Sequence, residues 1–119
     1  MPVNRADVDS LLPLPPATFH ILLALADQER HGYAIIKDVE ERTGGDLRLS
    51  AGTLYRSIAR MVDQRLIAEV HKRSAGPNEE RRRYYRLTPY GTAAARAEMA
   101  RLSQLVRLAR ARGLTPETA

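Results

Sequence analysis

The strongest chemistry in this chain is cationic. Arg81, Arg82, Arg83 and Arg86 fall within one short stretch, with Tyr84 and Tyr85 between them. Guanidinium groups pair bidentately with phosphate and with the O6/N7 edge of guanine. A second set lies upstream: Thr53, Arg56, Ser57, Arg60 and Gln64, spaced i, i+3, i+4, i+7, i+11. That spacing describes one helix face, and every member can hydrogen-bond. Arg56 or Arg60 can grip a guanine edge, while Thr53, Ser57 and the neighbouring Tyr55 can bond phosphates or bases. Each set has a plainer explanation when taken alone. Any surface helix has a polar face, and a charged edge strand guards against aggregation. Acidic Glu79 and Glu80, beside the arginines, repel phosphate. Together, a basic helix face and a basic strand favour nucleic acid as the partner.

The elements that must position these groups follow from periodicity and punctuation. Residues 1–14 are expected to form an N-terminal arm with a polar, mobile start, since Pro13, Pro15 and Pro16 prevent a regular helix across them. A helix can begin at Pro15 or Pro16, with Ile21, Leu22 and Leu25 as its buried stripe. Asp27 to Arg30 is expected to be a polar turn. A second helix runs from His31 or Gly32 to Thr43, with Ile35, Ile36 and Val39 inward and Gly44-Gly45 ending it. The third starts at Ser50, a good N-cap, and turns Leu54, Ile58, Met61 and Val62 to the core. After Gln64 the period changes to 2. Leu66–Arg73 and Arg81–Thr88 are expected to form a hairpin around the turn Ser74-Ala75-Gly76-Pro77-Asn78. Alternation places Arg81, Arg83 and Tyr85 on one face of its second strand, and Arg82, Tyr84 and Arg86 on the other. Thr88 and Pro89 then open a last helix that runs to Arg112, where Gly113 stops it.

Three helices, a hairpin and a long helix are the parts of a winged helix-turn-helix. The expected fold class is mainly α with a small β-hairpin, plus a long C-terminal dimerisation helix. The expected organisation is an arm at 1–14, a DNA-binding domain at 15–88, the dimerisation helix at 89–112 and a flexible tail at 113–119. In a helix-turn-helix the second motif helix lies in the major groove with its N-terminal residues toward base edges. Here that helix is the one beginning at Ser50, whose free N–H groups can also hold a phosphate.

Composition narrows the alternatives. The chain has 119 residues, enough for one modest core. Nineteen Lys and Arg against fourteen Asp and Glu leave a net charge of +5, nearly all of it arginine, since Lys occurs only at 37 and 72. There are no cysteines, which excludes disulfides, thiolate zinc sites and a Cys nucleophile. His20, His31 and His71 are scattered, with no i, i+4 pair for a metal. No Ser/His/Asp set or phosphate loop stands out, so neither enzyme, metal site nor cofactor is expected. His31 is expected to cap or pack. No run approaches the ~20 apolar residues a membrane span needs, and no signal peptide opens the chain, so a cytoplasmic location is expected.

Three runs then become recognisable: Ile21-Leu22-Leu23-Ala24-Leu25, His31-Gly32-Tyr33-Ala34-Ile35 and Leu49-Ser50-Ala51-Gly52-Thr53-Leu54-Tyr55. They are followed by Arg82-Arg83-Tyr84-Tyr85-Arg86-Leu87-Thr88 and Gly91. Over residues 14–112 the chain resembles the PadR family of bacterial transcriptional regulators, in its compact form with a single C-terminal helix. The resemblance implies a homodimeric repressor of a palindromic operator, released by a signal such as a small phenolic or drug-like molecule. It places Ser50, Thr53, Tyr55 and Arg56 on the recognition helix, Tyr33 and Lys37 beside it, and Arg81, Arg82 and Arg83 in the wing. Some relatives stack an effector on an interfacial aromatic. This chain has no Trp, and its last helix carries only Tyr90.

The last helix argues for a dimer on its own. Leu102, Leu105, Val106 and Ala109 form a seam at i, i+3, i+4, i+7, with Leu108 beside it, while Ala93, Ala94, Ala97 and Ala100 allow close approach. Such a seam either pairs with its counterpart or folds back on Phe19 and Leu22, and both can hold along one helix. The expected partners are double-stranded DNA, a second copy and a small-molecule effector, with no membrane. Two rivals remain at this stage. One is a winged helix used for protein–protein contact, which would show an apolar patch in place of the arginine face. The other is RNA binding, which wants exposed aromatics; Tyr55 and Tyr84 are expected to be the exposed ones.

Overall fold

The computed structural model describes residues 3–71 and 83–116. Helices α1 (Arg5–Ser10), α2 (Pro16–Ala24), α3 (Gly32–Arg42), α4 (Ala51–Asp63) and α5 (Pro89–Ala111) surround a small sheet of β1 (Arg30–His31), β2 (Ile67–His71) and β3 (Arg83–Leu87). The strands are antiparallel in the order β1-β3-β2. This is a winged helix-turn-helix with a long terminal helix, as the periodicities predict.

The core sits where α2, α3 and α4 meet the sheet. Ile21, Leu22, Ile35, Val39, Leu54, Met61, Leu66 and Ile67 are its fully buried large side chains. On α3 and α4 they recur at helical spacing, which is why these segments form amphipathic helices, whereas α2 is apolar on nearly every side. The caps are local. Ser50 Oγ accepts the N–H of Thr53, and Thr88 Oγ1 accepts that of Gly91. At the ends of α3 and α5, Gly44 and Gly113 take positive φ. There Gly45 N–H reaches back to the Glu40 carbonyl, and Leu114 N–H to that of Ala109. Both are Schellman endings.

Gly91 marks the tightest approach among the described glycines. A Cβ there would overlap the Leu66 carbonyl oxygen. That same carbonyl accepts the Thr88 hydroxyl at 3.0 Å, and the Arg65 carbonyl accepts it at 2.6 Å. The start of α5 is thereby tied to the end of α4 and the start of β2.

Three features differ from the sequence reading. The arm contains a helix: Asn4 Oδ1 accepts the N–H of Ala6, α1 follows, and Val8 is buried. Docking on α5 supplies what six residues cannot supply by propensity. Arg30 belongs to a strand and not to a turn, because Arg30 and His31 pair with Tyr85 and Tyr84 of β3. Arg30 Nε also donates to the Ala24 carbonyl at 2.7 Å, and its guanidinium lies 3.6 Å from Asp38, joining α2 to α3. Finally, the strand faces do not behave uniformly. Tyr85 is buried, but Arg83 on the same face lies past the body of the domain and is exposed. The turn at 74–78, the strand ends Lys72, Arg73, Arg81 and Arg82, and residues 117–119 lie outside the described residues.

Candidate nucleic-acid interface

Helix α4 presents the predicted stripe. Leu54, Ile58 and Met61 face inward, so Arg56, Arg60 and Gln64 are exposed, and Thr53 and Ser57 are half-buried between the two faces. Neither Arg56 nor Arg60 has an ion-pair or hydrogen-bond partner among the described residues. Their guanidinium groups are available to an external ligand. Ser50 is occupied: its hydroxyl caps the helix and also donates to Thr53 Oγ1 at 3.0 Å.

Tyr55 does more than face solvent. It is 53% exposed, yet its hydroxyl is tucked against α3, where a Cβ on Gly32 would come within 2.8 Å of it. The Gly-Tyr pairing explains why two short runs so far apart in sequence belong together. Glycine at 32 leaves the space into which Tyr55 inserts, and this sets the spacing of α4 from α3. Tyr55 also helps raise the Tyr85 phenol above its usual 10.0, where burial is the main cause and Glu69 adds to it while Arg83 opposes.

Tyr33 and Lys37 come together on α3. The Tyr33 ring is 64% exposed, the most exposed aromatic among the described residues, and the Lys37 ammonium lies 5.8 Å from its centroid. That is a cation–π contact on a solvent-facing surface. Tyr33 also lies parallel to the His31 ring, with centroids 6.5 Å apart. Tyr84, expected to be exposed, is instead half-buried with its ring edge-on to His31 at 5.4 Å. The exposed pair is thus Tyr33 and Tyr55. The cause is the β1–β3 pairing, which brings His31 opposite Tyr84.

On the wing strand, Arg83 and Arg86 are exposed, and Arg83 Nε lies 3.6 Å from Glu69 on β2. Arg81 and Arg82 lie outside the described residues. Arg48 was not among the expected contacts. It is a 75% exposed cation just before α4, held by a 3.7 Å ion pair with Glu40. Its place two residues ahead of the Ser50 cap was the available signal. Among the described residues no cluster of His, Asp and Glu can hold a metal ion, and no helix is long and apolar enough to cross a membrane.

On α5 the predicted seam is bare. Leu102 is 38% exposed, and Leu105 and Val106 are each 50% exposed, with Leu108 and Met99 likewise open and Ala109 half-buried. The near half packs within the chain, with Gly91 and Ala94 buried and Glu98 only 3% exposed. Glu98 accepts two bonds from Arg101, at 2.6 and 2.9 Å. These bonds, together with the Arg101 charge and the Leu14 backbone N–H, hold its carboxyl below the usual 4.5 against the opposing effect of burial.

Solved structures of similar shape include several transcriptional regulators. A transcriptional regulator from Clostridium thermocellum is similar over 96% of this chain and 100% of its own, at 21% identity and a TM-score of 0.69. A PadR family transcription regulator from Clostridium difficile R20291 is 25% identical over 81% of this chain and 96% of its own, with a TM-score of 0.71. PadR of Bacillus subtilis, solved in complex with operator DNA, is 20% identical, with a TM-score of 0.63. That likeness covers 90% of this chain but 54% of the longer Bacillus protein. No curated protein matches. The model of the PadR-like family of transcriptional regulators matches residues 21–97, which take in α3, α4, the whole sheet and the near half of α5. With well over half of its length matched, the chain belongs to the PadR-like family, whose members are DNA-binding transcription regulators and not enzymes.

Proposed function

We propose that the protein is a homodimeric repressor that reads a palindromic operator with α4 and is released by a small molecule or another signal. The observation that carries this reading is the pair of guanidinium groups, Arg56 and Arg60, unpartnered among the described residues, on the exposed face of a capped helix. In the major groove, Arg56 or Arg60 pairs with a guanine edge, and Thr53, Ser57 and Tyr55 bond neighbouring bases or phosphates. The free N–H groups at the start of α4, behind the Ser50 cap, hold a phosphate. Tyr33, Lys37 and Arg48 lie along the flanking backbone. Arg83, with Arg81 and Arg82, meets the backbone from the wing. The seam of Leu102, Leu105, Val106 and Ala109 closes the dimer, which sets the two reading helices about one DNA turn, ~34 Å, apart.

A binding titration tests this. Genomic fragments that include the protein's own promoter are compared with a random duplex at two salt concentrations. Tight, fragment-selective binding with a steep salt slope is expected. Arg56→Ala should relax preference at about one base position and cost ~1–3 kcal/mol, whereas Arg83→Ala should weaken all sequences alike and lower the salt slope by about one. Weak, equal binding to every fragment would instead favour a winged helix used for protein contact.

A further inference from the structure

His31 stands where three parts of the proposed interface meet. Its backbone is half of β1 and lies opposite Tyr84 of the wing strand. Its Nδ1 accepts the N–H of Ala34 at 3.2 Å and so caps α3. The ring does something a cap does not require. It lies 5.4 Å from Tyr84 at 85°, an edge-to-face contact, and 6.5 Å from Tyr33 at 9°, a parallel one. Beyond Tyr33 sits Lys37. A continuous column, Tyr84–His31–Tyr33–Lys37, therefore runs from the wing to the solvent face of α3. The next residue, Gly32, receives Tyr55 of α4. Three consecutive residues, 31–33, thus touch the wing on one side and the recognition helix on the other.

We propose that the His31 imidazole is a positioning residue: it sets β3, and with it the Arg83 and Arg86 cations, at a fixed angle to the α3–α4 reading face. The proposal rests on the DNA-binding reading above. The capping role alone is met by a short polar side chain. An aromatic ring in edge-to-face and parallel contact adds orientation, because such pairs prefer definite geometries. With β3 held this way, Arg83 and Arg86 meet the DNA backbone already oriented, and orienting them on binding would otherwise weaken it.

Two full-length variants separate the roles. His31→Asn keeps a capping oxygen and removes the ring. His31→Phe keeps a ring and removes the cap. Amide exchange is measured on the free proteins. Hydroxyl-radical footprints are then taken on the promoter fragment that the wild type selects. His31→Asn should fold with the wild-type helix content, exchange the Tyr84–Leu87 amides about tenfold faster, and bind about tenfold more weakly. Its protection should fade at the flanks while the base preference read by α4 persists. His31→Phe should restore slow exchange in β3 and flank protection, with faster exchange confined to the start of α3. The proposal is overturned if His31→Asn leaves β3 exchange and the flanks unchanged, or if it loses flank and central protection together. Should the wild type select no fragment, the regulator reading fails, and exchange in β3 alone decides whether the ring positions the wing.

Discussion

Helix α5 is two different helices joined end to end. Its near half, from Gly91 to Glu98, is built of small residues with one arginine, Arg96, and one acid, and its inward face is buried against α2 and α1. Its far half carries Leu102, Leu105, Val106 and Leu108, large apolar side chains left 38–50% exposed. Small residues let neighbouring backbones approach, so the near half belongs to its own domain. The large apolar residues of the far half are not covered by any of the described residues, and exposed apolar surface of this kind marks an interaction site. The difference separates a part that holds the recognition unit together from a part suited to joining two of them.

The near half should break most severely at Gly91. A methyl there meets the Leu66 backbone carbonyl, which is fixed by two bonds from Thr88. Gly91→Ala should destabilise the fold by on the order of 3 kcal/mol or more, seen as a large drop in the thermal midpoint. Gly52, where no atom lies within 4 Å of an added Cβ, serves as the control.

The far half should break association without breaking the fold. Replacing Leu102 and Val106 with Glu removes two apolar side chains, each contributing about 1.5–3 kcal/mol when fully buried. Sedimentation should show monomers with unchanged helix content and greatly weakened operator binding. A dimer that survives both changes would place the interface elsewhere.

Glu98 gives a smaller, sharper contrast. Glu98→Gln keeps the shape but loses the charge that receives Arg101, so its thermal midpoint at neutral pH should fall below that of the wild type. Because the folded carboxyl is held below its usual 4.5, this stabilisation is full above that value and is lost as pH falls through the lowered one. The variant and the wild type should therefore converge in stability in acid. The smallest effect belongs to His20, held below 6.5 by burial and then by Arg42. Its contribution is present above 6.5 and declines as pH falls further, so stability should begin to slip before Glu98 titrates.

How far the sequence could be followed depended on the range of each interaction. Ser50, Thr88, Gly44 and Gly113 act on bonds within a few residues, and their type announces the helix ends. The polar stripe of α4 was legible because it repeats with the helix. The strand at Arg30–His31 was not, since two residues show no alternation and their partners lie more than fifty positions away. Helix α1 was hidden for the same reason: Val8 is buried only once α5 is in place. The ring at Tyr84 is sheltered where exposure was expected, because the β1–β3 pairing sets His31 opposite it. Glu98, surrounded in sequence by Ala and Arg, gave no sign that it would be buried.

In the proposed regulator, two copies of α4, set apart by the far halves of α5, read one operator. The most direct measurement is a hydroxyl-radical footprint of the wild-type protein on its own promoter. Two protected patches related by a two-fold axis and centred ~34 Å apart are expected. A single patch, or uniform protection that follows DNA length and not sequence, would contradict the claim.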